Sequence, residues 1–379
     1  MAVTPRPSLQ TIQGEPSWCF ASDRVEACLT RDGGHLAPVT FHTAAGPVQP
    51  FAIAPWAGER MPAGAPLALR MLRGDFFCAP FGGASEPVHG KRHPLHGETA
   101  TARWTSPTLV KDANGVEFSA RLSTRVRPGL VRKHIRLRSG ETNLYCRHEL
   151  HGYEGPLCLG HHATLQFPAK PGAGRLSFSP LAHRQVSPGD AAGPLRAGAT
   201  FARLDRVPLA GGGTTDLSRY PAREGTDAIA MVSARRDRAG LAWTAVTYPK
   251  ERYVWFSLKD LRVLASTVLW HCNGGVKSAP WRGLARNILG LEDVTAHFAL
   301  GLESSVAPNT VSRRGIPTVL HLRPDHPLRV DYVMAVAAIP RGFDRVRSIL
   351  FRRDHVVLRA DSGRSVEHPI DLNFFTPTP

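Results

Sequence analysis

Two stretches of this chain alternate apolar and polar residues with a period of two, and no other feature restricts the fold so sharply. In Val116-Glu117-Phe118-Ser119-Ala120-Arg121-Leu122-Ser123 the even positions are apolar and the odd ones polar. Val131-Arg132-Lys133-His134-Ile135-Arg136-Leu137-Arg138 repeats the pattern, with Lys133 as the one intruder. Successive strand residues point to opposite faces, whereas a helix face recurs every 3.6 residues, so this period describes strands with one buried face. Arg127-Pro128-Gly129 lies between the two and supplies turn chemistry; together they predict a β-hairpin.

Further strands are expected at Ala242–Thr247, Tyr253–Leu258, Thr318–Leu322, Val330–Val336 and Val356–Ala360. Asp361-Ser362-Gly363 then forms a turn, with Glu367–Phe374 as the return strand. Phe343, Val346, Ile349 and Leu350 share one face at helical spacing, so a helix is expected over Phe343–Phe351, an irregular strand being the alternative. With 35 Gly and 32 Pro in 379 residues, the chain suits many short strands and turns. Lys170–Gly225 concentrates Gly, Pro and Ala and is read as long loops within one domain spanning residues 1–379. Its Gly211-Gly212-Gly213 run is not followed by Lys-Ser/Thr, which argues against a phosphate-binding loop.

The net charge of +16 comes mostly from arginines dispersed singly, such as Arg132, Arg136 and Arg138. No helix-turn-helix, zinc-finger or RNA-binding signature accompanies it, so a solvated basic surface is expected and nucleic acid is not. Met1 to Pro16 shows no apolar core behind a basic start, and no later run is apolar enough to span a membrane. The expectation is a cytoplasmic protein without membrane contact. Cys19, Cys28, Cys78, Cys146, Cys158 and Cys272 form no CxxC pair and are read as reduced core residues.

Three segments carry side chains suited to chemistry. The first runs from Arg73-Gly74-Asp75 to His93-Pro94-Leu95-His96-Gly97-Glu98, punctuated by Gly and Pro as loops and strand ends are. Pro94 disfavours a helical HxxH metal pair, and an extended backbone sends the two imidazoles in opposing directions, so one of them is expected in a pocket. The second is Gly160-His161-His162, where strand geometry turns one histidine each way without saying which meets a ligand. The third joins Trp270-His271-Cys272-Asn273 and Pro280-Trp281 to Gly290-Leu291-Glu292-Asp293. A glutamate in an apolar run is costly to bury without partners, which marks Glu292 for a raised pKa and general-base work; Glu303 is a rival in a less apolar setting. Trp270 and Trp281 offer flat faces for a sugar ring.

In order along the chain, these motifs resemble the galactose mutarotase (aldose 1-epimerase) superfamily, and most nearly a less characterised bacterial branch. Leu95-His96-Gly97 matches the family's Leu-His-Gly motif, which an arginine or asparagine precedes near the position of Arg73. His162-Ala163-Thr164-Leu165 matches its second histidine, and Gly290-Leu291-Glu292 its catalytic glutamate. The resemblance covers roughly residues 20–375 and implies an all-β fold, a β-supersandwich of large antiparallel sheets. Two departures stand out: Glu98 follows the Leu-His-Gly motif where the family has an aromatic, and Leu165-Gln166-Phe167 replaces the aromatic and asparagine after the second histidine. Both affect ligand contacts and put a galactose or glucose substrate in question.

The resemblance implies Glu292 as base, His162 as acid and His96 as a hydrogen-bonding partner in opening an aldose ring. Arg73, Asp75, His93, Glu98, His161, Trp270, Asn273 and Trp281 are expected to contact a small carbohydrate, acidic ones included. No cofactor is expected. An alternative gathers His93, His96, Glu98, His162 and Glu292 around a divalent metal in an isomerase or lyase acting on a sugar acid or keto-sugar. Another is a non-catalytic carbohydrate-binding protein on the same fold.

Overall fold

The computed structural model describes residues 7–83, 90–190, 193–236 and 240–376. The chain is all-β, and two large antiparallel sheets carry most of it. The first has nine strands in the order Arg219–Tyr220, Gly174–Phe178, Leu241–Tyr248, Tyr253–Asp260, Leu328–Ala338, Asn143–His151, Gly129–Arg138, Gly115–Thr124 and Thr105–Asp112. The second has six: Leu181–Val186, Thr226–Ala234, Ser266–Asn273, Ile288–Thr295, Leu159–Gln166 and Phe77–Cys78. A five-stranded N-terminal meander and a three-stranded C-terminal sheet complete the framework.

The expected hairpin forms, with Val116, Phe118, Ala120 and Leu122 all buried. Lys133 proves to follow the inward alternation: it is buried, its ammonium donates to the Gly34 carbonyl at 2.7 Å and it lies over the Trp104 ring. A satisfied donor and a cation–π contact make that position tolerable. Alternation also explains the layering. Trp255, Ser257 and Lys259 turn toward the six-stranded sheet, while Val254, Phe256 and Leu258 turn outward under Val346, Ile349, Val356 and Leu358 of the C-terminal sheet.

Several expectations need correction. Val346–Phe351 is a strand and not a helix. A bulge between Val346 and Ser348 inserts one residue, so Val346 and Ile349 face the same side and imitate helical spacing. The return strand is shorter than expected, Ser365–Pro369, and Leu372–Phe375 winds into a 3-10 turn. Only Leu320–Leu322 of the expected Thr318–Leu322 strand is paired. Lys170–Gly225 supplies strands to both main sheets besides its loops. Cys19 and Cys28 stand directly opposite on neighbouring strands and form a disulfide, leaving the other four cysteines free and buried. The expected cytoplasmic location and this bond pull in opposite directions, because reducing compartments keep thiols open. No helix among the described residues is long and apolar enough to cross a membrane.

Candidate active site

The strands Leu159–Gln166 and Ile288–Thr295 pair antiparallel in a register that sets His162 opposite Glu292 and His161 opposite Asp293. Period-two alternation then divides these four side chains between the faces of the six-stranded sheet. His161 and Asp293 enter the core between the sheets, where His161 stacks on Tyr332 and Asp293 meets the Lys259 ammonium. His162 and Glu292 face the other way, toward a cavity of about 210 Å³ roofed by loops.

At the cavity floor His162 Nε2 lies 3.2 Å from Glu292 Oε1. Phe76 stacks on the His162 ring at 4.4 Å, and His96 meets that ring edge-on at 4.9 Å. Trp270 and Trp281 form one wall, nearly perpendicular to each other. Ala68 and Leu69 come from a single helical turn, Leu67–Arg70, and Leu95 precedes the site histidine. The loop bearing Trp281 is clasped to that bearing Glu59 by an Arg282–Glu59 ion pair at 2.7 Å.

His96 is delivered by a left-handed backbone, φ 60°, followed by Gly97 at φ 78°. A Cβ at position 97 would collide with the Ala79 carbonyl, so only glycine permits this turn. The Gly82 N–H donates to His96 Nδ1 at 3.3 Å, which leaves Nε2 as the protonated nitrogen and a donor. Gly290 has a related steric role: a Cβ there would lie 2.5 Å from Glu292 Oε1, in the space the carboxyl group fills.

Burial governs the charge states. It pushes the Glu292 carboxyl well above the ordinary carboxylate range. Burial, with the neighbouring His96, pushes His162 well below the usual histidine value, and burial alone takes His96 down to about 4. Both displacements favour the neutral forms, a carboxylic acid and a neutral imidazole. Thr164 Oγ1 lies 3.1 Å from His162 Nδ1 and 3.4 Å from the His162 carbonyl oxygen. Accepting from Nδ1–H while donating to that oxygen, it leaves the lone pair on Nε2, the nitrogen nearest Glu292. Glu292 Oε2 is buried with no hydrogen-bond partner among the described residues, an unmet acceptor beside the cavity.

Of the residues singled out by sequence, the cavity brings together His96, His162, Glu292, Trp270 and Trp281. The others are committed elsewhere. The Arg73 guanidinium donates to the Ile12 and Gln13 carbonyls, and Asp75 Oδ2 holds His161 Nδ1 at 2.8 Å inside the core. The Glu98 carboxylate accepts from the Arg125 and Val126 N–H groups, fixing a turn. Asn273 donates to the Ala222 and Arg223 carbonyls and accepts from the Asn287 N–H. His93 lines a separate cavity with Lys91 and Arg127, and Glu303 is exposed on a short helix. Of the donors of the metal alternative, His93 and Glu98 lie outside the cavity that holds His96, His162 and Glu292, and no group of three or more His, Cys, Asp or Glu side chains suited to a metal is found among the described residues. Sequence reading missed Phe76, Thr164 and the Leu67–Arg70 turn, whose roles depend on contacts between distant segments.

No family model matches the chain, and no curated protein matches it significantly. Solved structures do. A provisionally named aldose 1-epimerase from Klebsiella pneumoniae superposes with a TM-score of 0.61 at 14% identity, covering 85% of this chain and 79% of that one. A provisionally named mutarotase from Salmonella typhimurium gives 0.58 at 14% identity, covering 89% and 95%. A galactose mutarotase-like protein from Clostridium acetobutylicum gives 0.57 at 13%, covering 88% and 98%. At such identities the likeness speaks for architecture alone. The chain has the galactose mutarotase-like fold.

Proposed function

We propose that the cavity catalyses acid–base interconversion of the anomers of a small cyclic hemiacetal, the chemistry of a mutarotase. The observation that carries this reading is the buried His162–Glu292 contact at the cavity floor, 3.2 Å between two groups of opposite pKa displacement and close enough for a proton to pass from one to the other. Transfer of that proton to Nε2 produces a carboxylate beside an imidazolium without changing the net charge. Glu292 then takes the anomeric hydroxyl proton, the bond between the anomeric carbon and the ring oxygen breaks, and His162 protonates the ring oxygen. Rotation of the open-chain aldehyde and reversal of these steps give the other anomer. His96 Nε2–H hydrogen-bonds the oxygen on which charge develops. General acid and base groups typically contribute 10²–10⁴-fold each.

The test is a proton NMR time course with freshly dissolved aldoses and uronic acids. Accelerated anomer exchange, lost in Glu292→Gln with ligand binding retained, supports the reading. Undiminished exchange in that variant removes Glu292 from the mechanism.

A further inference from the structure

We infer that the preferred substrate is a hemiacetal with an apolar body, a deoxygenated or alkyl- or aryl-substituted lactol, and not a fully hydroxylated hexose; this rests on the acid–base reading above. Among the described residues, the side chains that bring polar atoms to the cavity lining are Glu292, His162, His96 and the indoles of Trp270 and Trp281. Glu292 and His162 serve the anomeric hydroxyl and the ring oxygen, with the His96 N–H as a third contact. Apart from the two indole N–H groups, every other lining side chain among the described residues is apolar, Leu72, Ile229, Val268 and Ala299 among them. No Lys or Arg among the described residues lines it, so an acidic sugar finds no counter-ion among them. The polar residues that sequence offered for hydroxyl contacts, Arg73, Asp75, Asn273 and Glu98, are all engaged outside the cavity.

A hexopyranose brings several further hydroxyls, each a donor and an acceptor. One buried without a partner weakens binding roughly tenfold or more. Stacking its C–H face on a tryptophan does not recover several such losses. The apolar character also continues outward. Leu67 and Leu284 are 60% and 48% exposed, and they lie on the two segments that supply Ala68, Leu69 and Trp281 to the cavity. Trp56 packs behind Trp281 with its N–H spent on the Leu69 carbonyl. Val268 stands directly opposite Glu292 in the strand register, placing an aliphatic group beside the reacting carboxyl.

Exchange spectroscopy by proton NMR on the full chain tests this with 2-hydroxytetrahydropyran, its 6-phenyl derivative, glucose and galactose. Accelerated anomer exchange is expected for the lactols, with a KM for the phenyl derivative at least tenfold below either hexose, and loss in Glu292→Gln. Val268→Thr, nearly isosteric, should move the preference several-fold toward the hexoses. Turnover of a hexose with a KM equal to or below the lactols' overturns the substrate class while leaving the acid–base reading intact. Failure to accelerate any of the four overturns both.

Discussion

Glu292 and Asp293 are neighbours on one strand, both buried, yet burial and partners displace their pKa values in opposite directions. Asp293 faces the core and accepts from Ser257, Thr267 and Tyr332 at 2.6–2.9 Å besides the Lys259 ammonium. These partners overcome burial and hold its carboxyl below the ordinary range. Glu292 faces the cavity with a single histidine contact and an unpartnered oxygen, and burial wins. A fully satisfied carboxylate is structural support; a half-satisfied one is chemical potential held in place by the rest of the fold.

The largest effect should come from the satisfied member. Asp293→Ala leaves Lys259 charged or neutralised without its partner in the core, and should cost about 3–5 kcal/mol of folding free energy, read from denaturant midpoints at unchanged slope. A loss under about 1 kcal/mol would mean that the network contributes little. Glu292→Gln should do the reverse: turnover falls about 10²–10⁴-fold while the denaturation midpoint holds or rises. A variant that loses both together would erase the distinction between the two faces.

Titration sharpens the contrast. A carboxyl whose folded pKa is raised stabilises less as pH rises from its unfolded value, near 4.5, through the folded one, because the folded state must give up a proton it favours. Glu292→Gln should therefore gain on the wild type with rising pH, by at most about 1.4 kcal/mol per pH unit within that window. Asp293 carries the opposite sign: its contribution is present above its unfolded value of 3.8 and disappears as pH falls through the lower folded one. The deficit of Asp293→Asn should therefore shrink only in acid. Parallel pH curves for the two variants would break the comparison. The smallest effect belongs to Thr164. Thr164→Val removes the His162 Nδ1 contact and should lower kcat about tenfold or less, shift the pH profile and leave KM nearly unchanged. Thr164→Ser should restore both.

How much of this was legible in the sequence depends on the range of the interactions. Alternation located the hairpin and most central strands because one buried face repeats every second residue. The opposite facing of the adjacent histidines, and of the adjacent carboxylates, follows from the same period, and the short motifs around His96, His162 and Glu292 mark residues that do share the cavity. Which histidine faces outward depends on register, and register depends on neighbouring strands. Arg73 and Asn273 looked like ligand contacts because an arginine or asparagine near glycines reads identically whether its partner is a substrate or a carbonyl 61 or 51 residues away. The bulge before Ile349 turned a strand into apparent helical spacing. The cavity's apolar walls come from segments that reveal nothing of a common surface until the sheet assembles them.

Gly290 gives the site an adjustable part. The atoms a methyl group there would press on are the tip of Glu292 and, at 3.1–3.2 Å, Trp270, both side chains and neither of them backbone. The missing carbon works like the gap behind a set screw: adding it would re-aim one reactive oxygen and one aromatic wall while the strand keeps its register. Aim and acidity, usually entangled in a buried carboxyl group, are set here by separate pieces of the chain.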